Sequence, residues 1–173
     1  MLAPIAFLTI ALGFFVELGL LGLANPAHFA GKFGQGEAGA EDEVKLLASR
    51  CLSLLGFTGT SIAFLLGQLP DHPALDGPIL ILGLAFVFFL AGFKLDSVGA
   101  TRRFYFEAQE HSLAYGLITL SVALAFAYGT FSTAFASFVF VIPTVPIGWH
   151  LVDLVRDLKF YRVIRNVGVP KKT

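Results

Sequence analysis

Glu17 is the only charged residue in an apolar run, Leu2–Ala24. Seven residues separate it from the end of that run, which is ~10 Å along a helix rising 1.5 Å per residue. A carboxyl group that deep in hydrocarbon must be protonated, paired or wetted by a cavity. Partners enter from the same side: Arg50 and Lys94 have long stems that reach inward or snorkel outward. A structural ion pair is the plainer reading of Glu17. Proton chemistry is the sharper one. Glu17, Arg50, Glu110 and His111 would then line a cavity and shuttle a proton to a small lipophilic substrate such as a sterol, quinone or isoprenoid.

A second set is geometric. His111 and His150 stand at equal chain distance from a turn placed between Thr130 and Phe131, so antiparallel helices would bring them to similar depth. Glu107 precedes His111 by four residues and Asp153 follows His150 by three, about one helical turn in each case. Two imidazoles and two carboxylates converging there could bind a metal, or the imidazoles could flank a haem as axial ligands. Ordinary polar residues at helix ends are the alternative, and no cofactor is expected. The Glu-x-x-His spacing of di-iron bundles fails, because Glu110 stands three residues after Glu107 and His111 four. The chain also has no His-Glu-x-x-His, no Cys-x-x-Cys and no nucleophile elbow. Cys51, the single cysteine, reads as a small packing residue.

These residues must be positioned by membrane helices. The chain is 56% hydrophobic and 14% charged, with mean hydropathy +0.78, whereas a soluble domain carries about a quarter charged residues. Five apolar runs, 2–24, 46–69, 77–95, 112–129 and 133–154, each approach the ~20 residues that cross a bilayer. With five crossings, all 12 Lys and Arg residues fall on one side. The connections Asp71–Asp76 and Thr130–Ser132 on the other side have none. The positive-inside rule then puts the N-terminus outside and the C-terminus inside. The expected fold is all-α: one polytopic integral membrane domain, 1–173, with a basic inside tail at 155–173. Bacterial inner, mitochondrial inner and organelle membranes all fit this charge bias.

Local signals refine the picture. Glu41, Asp42 and Glu43 suit a helix first turn and place the start of the second helix near Ala40, ahead of its apolar part. Ser112, Gly116, Thr119, Ala123 and Ala127 recur every three or four residues, a spacing that lets helices approach closely in lipid. Pro143 and Pro146 predict a kink near Val139–Pro143. Arg102 and Arg103, beside Phe104, Tyr105 and Phe106, read as a headgroup anchor. With Arg162 and Arg165 of the tail they are the candidate lipid or partner contacts.

Asn25, Pro26, His28 and Phe29, then Phe33 and Gly34, then Arg50 opening a helix that contains Gly56, resemble the DoxX-like group of small membrane proteins. The resemblance covers the first two helices. It implies a four-helix bundle, from which a fifth span departs, and it implies that Arg50 and Glu17 form a buried pair. The group's roles are diverse, so an architecture is implied more than an activity.

The functional expectation is a non-catalytic subunit packed into a larger membrane complex, with lipids and other membrane subunits as partners and no nucleic acid. Short loops, small-residue faces, a basic tail and the lack of a catalytic motif support it. The alternative is an enzyme or binding protein for a lipophilic substrate at the acid–base cluster.

Overall fold

A chain segment in lipid has no water to satisfy its N–H and C=O groups, so it closes its hydrogen bonds along itself. A computed structural model describes residues 2–24, 26–31, 40–99, 102–131 and 141–167, and no strand occurs among them. The helices are α1 (Leu2–Ala24), α2 (Pro26–Ala30), α3 (Ala40–Gln68), α4 (Asp76–Lys94), α5 (Asp96–Gly99), α6 (Arg103–Phe131) and α7 (Val141–Val167), with a 3-10 turn at Pro73–Leu75. Four segments are long and apolar enough to cross a membrane: Leu2–Ala24, Glu41–Gln68, Pro73–Lys94 and Arg103–Phe131. That composition and length are those of a multi-pass membrane protein.

Two boundaries differ from the hydropathy reading. α6 starts at Arg103 rather than at 112. Its first turns carry Glu107, Gln109 and His111, which hydropathy reads as a loop, yet all three are buried against neighbouring helices. α7 continues past Leu154 to Val167, and Arg156 pairs there with Asp153 one turn back at 3.2 Å. The first part of the expected fifth span, 133–140, lies outside the described residues. So do Val139 and Phe140 of the region of the expected kink. Pro143 itself falls in the first turn of α7, where a missing N–H costs no hydrogen bond. Thr144 Oγ1 donates to the Val141 carbonyl at 2.6 Å.

α6 is the central helix and touches α1, α3, α4 and α7. Ser112, Gly116, Thr119, Ala123 and Ala127 are all buried on it. The hydroxyls of Ser112 and Thr119 donate to carbonyls of their own helix, at 2.7 and 2.6 Å. No polar atom of either then opposes the contact with α4. Gly116 is required: a Cβ there would stand 2.4 Å from the ring of Phe89 on α4. Gln109, fully buried, donates through Nε2 to the Val44 carbonyl at 3.2 Å and ties α6 to α3.

Helix directions follow from who meets whom. Gly77 at the start of α4 abuts Ala3 at the start of α1, so these two helices run parallel. Leu65 near the end of α3 and Ala127 near the end of α6 join the same cluster. At the opposite end Leu21, Phe29 and Leu154 pack together, and the Arg103 N–H donates to the Gly31 carbonyl at 3.1 Å. α1 is inside out by the standard of a soluble protein. Leu8, Leu12, Phe15, Leu20 and Leu23 are exposed, while Glu17 is 6% exposed.

Candidate functional site

The site is built on one face of α6 and one face of α1. His111 and Tyr115 are four residues apart on α6, so both side chains point the same way. Glu17 lies four residues after Gly13 on α1. The missing side chain at Gly13 leaves room for Tyr115, whose hydroxyl would stand 3.3 Å from a Cβ placed there. Phe14 and Phe88 close around the Tyr115 ring, with centroids at 5.4 and 5.9 Å, and His150 of α7 lies edge-on at 5.1 Å.

Three side chains converge on the Glu17 carboxyl group. Oε1 lies 3.1 Å from His111 Nε2. Oε2 accepts the Tyr115 hydroxyl at 2.8 Å and lies 2.9 Å from His150 Nε2. Partners of this kind are what a carboxyl group removed from water requires, since an isolated buried charge costs on the order of several kcal/mol.

The hydrogen inventory is constrained. His111 Nδ1 lies 2.8 Å from the Glu107 carbonyl oxygen. A carbonyl only accepts, so Nδ1 carries the hydrogen. One proton then lies between His111 Nε2 and Glu17 Oε1. Placed on nitrogen it makes an imidazolium–carboxylate pair, and placed on oxygen a neutral acid donating to a neutral ring. In both cases Oε2 serves as acceptor for Tyr115 and for the Nε2 hydrogen of His150. The arrangement can store one proton and move it over a single hydrogen bond, which is the elementary step of acid–base chemistry.

Two spaces that share lining residues adjoin the cluster. A polar cavity of about 70 Å³ is lined by Glu17, Glu110, His111, His150, Asp153 and Asp157, with Ala114 and Leu154. An apolar groove of about 320 Å³ lies between α6 and α7, along Leu117, Val145, Pro146 and Trp149. Ala114, His150 and Asp153 line both. The cavity pairs Glu110 of α6 with Asp157 of α7 and the groove pairs Leu117 with Val145, so α7 runs antiparallel to α6. A larger hollow of about 650 Å³ between α3 and α6 has an aromatic lining that includes Phe57, Phe64, Tyr128 and Phe131. The Thr60 and Ser61 hydroxyls in it are bonded to their own helix, at 2.9 Å each, so it offers little for chemistry.

The structure brings together some of the residues singled out in the sequence and separates others. Glu17, Glu110 and His111 share the polar cavity. Arg50 does not join them: it is exposed on α3, and Glu17 is held by two imidazoles and a phenol. The buried Arg50–Glu17 pair is therefore absent, and Lys94 is exposed as well. His111 and His150 do meet, with centroids 6.2 Å apart. Both Nε2 atoms face Glu17, however, and not a shared metal or haem position. Glu107 turns to Arg103 at 4.0 Å and Asp153 to Arg156 at 3.2 Å. Among the described residues no group of three His, Cys, Asp or Glu is arranged to hold a metal ion. Arg102 is exposed. Arg162 and Arg165 are helical, and their side chains lie outside the described residues.

Tyr115, Gly13 and Asp157 were not legible as site residues. The available signal for Tyr115 was its four-residue spacing from His111, and for Gly13 its four-residue spacing from Glu17. Compared with known protein families, with curated proteins and with solved structures, the chain matches none of them.

Proposed function

We propose that this chain is an integral membrane protein that binds a small lipophilic molecule, of the sterol, quinone or isoprenoid kind, and exchanges a proton with it at the Glu17–His111–His150–Tyr115 cluster. The observation that carries this reading is the pair of spaces meeting at His150: an acid–base cavity on one side and an apolar groove on the other. A lipid-soluble molecule in the groove would have its body among Leu117, Val145 and Trp149 and its polar end beside a group that can give or take a proton.

In this reading the chain crosses the membrane five times, with α7 as the fifth span, the N-terminus outside and the basic segments inside. The parallel run of α1 and α4, the antiparallel run of α7 on α6, and exposed apolar side chains on α7 such as Val141, Val145 and Val152 support it. The likeness to DoxX-like proteins then concerns the helical architecture alone.

One observation favours a second reading, that of a subunit in a larger complex. Ser49, Ser53, Gly56, Thr60, Ala63 and Gly67 lie at alternating four- and three-residue spacings on α3, and all are exposed. The Ser53 and Thr60 hydroxyls donate to carbonyls of their own helix, at 3.0 and 2.9 Å. Such a smooth face lets another helix approach closely.

One experiment separates the two. The full chain and its Glu17→Ala variant are purified in mild detergent and extracted into organic solvent for mass spectrometry, and the remaining protein is assayed for partners. A lipophile retained by the wild type and lost from the variant supports the first reading. Identical extracts together with a stoichiometric membrane protein partner reject it in favour of the second.

A further inference from the structure

The two histidines that reach Glu17 are not equivalent. His111 has both ring nitrogens engaged, Nδ1 with the Glu107 carbonyl at 2.8 Å and Nε2 with Glu17 at 3.1 Å. His150 engages only Nε2, at 2.9 Å, and its Nδ1 meets no protein partner among the described residues. With Glu17 Oε2 as the acceptor in that contact, a neutral His150 carries its hydrogen on Nε2 and keeps a lone pair on Nδ1. A carboxylate behind an imidazole selects the tautomer in this way and leaves the far nitrogen basic.

His150 also has the right address. It is the one member of the Glu17 cluster that lines the apolar groove. The other two residues common to both spaces offer nothing comparable. Ala114 has no polar side-chain atom, and the Asp153 carboxylate is engaged by Arg156 Nη2 at 3.2 Å. The one acid that lines the groove, Asp153, is thus paired with a guanidinium, and a neutral hydrogen-bond donor suits the groove better than a cation. Its volume of about 320 Å³ falls within the roughly 300–1,000 Å³ of small-molecule sites.

We infer that the α6–α7 groove takes a lipophilic alcohol or phenol, whose hydroxyl donates to His150 Nδ1 while its apolar body lies along Leu117, Val145 and Trp149. This assignment rests on the lipophile reading above and narrows it to a head group. A ketone, ether or hydrocarbon has no hydrogen to give to a bare imidazole nitrogen. Glu17 and His111 are positioning residues in this scheme: they hold the His150 tautomer and do not touch the ligand. Trp149 is 73% exposed at the groove, so in the five-crossing reading a ligand reaches it from the lipid.

Trp149 is the only tryptophan of the chain and lies in the groove, so its fluorescence reports occupancy. The full chain in phosphatidylcholine nanodiscs is titrated with a brominated long-chain alcohol, its methyl ether and the amine of equal chain length. Bromine quenches the indole on contact. The alcohol is expected to quench saturably at about tenfold lower concentration than the ether, the factor one hydrogen bond supplies. His150→Ala is expected to abolish that difference. His150→Asn, which keeps an acceptor near the Nδ1 position, is expected to retain part of it and serves if the alanine variant fails to fold. Equal response to alcohol and ether overturns the hydroxyl assignment and leaves the lipophile reading standing. Tightest response to the amine overturns it in favour of a cation. Saturable quenching by none of the three rejects both readings together.

Discussion

The Tyr115 hydroxyl donates to Glu17 Oε2 at 2.8 Å across 98 residues of chain. That contact exists because position 13, one turn before Glu17, has no side chain to obstruct the ring. Together with His111 and His150 it gives a carboxyl group inside an apolar bundle three partners from two other helices. The polar network therefore also acts as a clamp on α1, whose other buried residues are only Ala3, Phe14 and Leu21.

Removing the hub should cost more than removing a spoke. Tyr115→Phe deletes one hydrogen bond and should destabilise the protein by about 1–2 kcal/mol. Glu17→Ala leaves two imidazoles and a phenol without their acceptor and should cost about 3–5 kcal/mol. Thermal unfolding in one detergent gives the ranking. Equal shifts for the two variants would contradict a carboxyl group shared by three partners.

Arg50→Ala should change stability by no more than about 0.5 kcal/mol, as for other exposed substitutions. Arg50 is exposed on α3 and is not among the partners of Glu17. A loss as large as that of Glu17→Ala, measured in the same unfolding assay, would mean that the guanidinium reaches the carboxyl group after all.

The contact between α4 and α6 turns on Gly116 and Phe89. A Cβ at Gly116 would meet the Phe89 ring at 2.4 Å, so Gly116→Ala should cost about 1–3 kcal/mol through overpacking. Phe89→Leu gives up ring volume at the same point. The double variant should be more stable than the sum of the single losses predicts, by about 0.5–3 kcal/mol. Strict additivity would place the two residues out of contact.

The proposed five crossings would put Asp71 and Lys159 on opposite faces of the membrane. Both residues are exposed, and the native thiol Cys51 is 0% exposed and should not react. Asp71→Cys should be labelled by a membrane-impermeant maleimide only from outside, and Lys159→Cys only after the membrane is opened. Labelling of both from the same side would remove α7 as a crossing.

Much of the architecture is a one-dimensional property of the chain. Long apolar runs in lipid have no option but helix, so α1 and α4 begin and end within about one residue of where composition changes. The cost of a charge in hydrocarbon singles out Glu17 before any neighbour is known. What the linear chain does not carry is the rotation of each helix about its axis, because in lipid every apolar face is equally welcome outside. Rotation was decided by close packing: Gly116 admitting Phe89, Gly13 admitting Tyr115, and the small residues of α6 turning inward. Once those contacts were made, Glu17 faced His111, Tyr115 and His150. Arg50, whose long cationic stem suggested a partner for it, was left on the outside of α3.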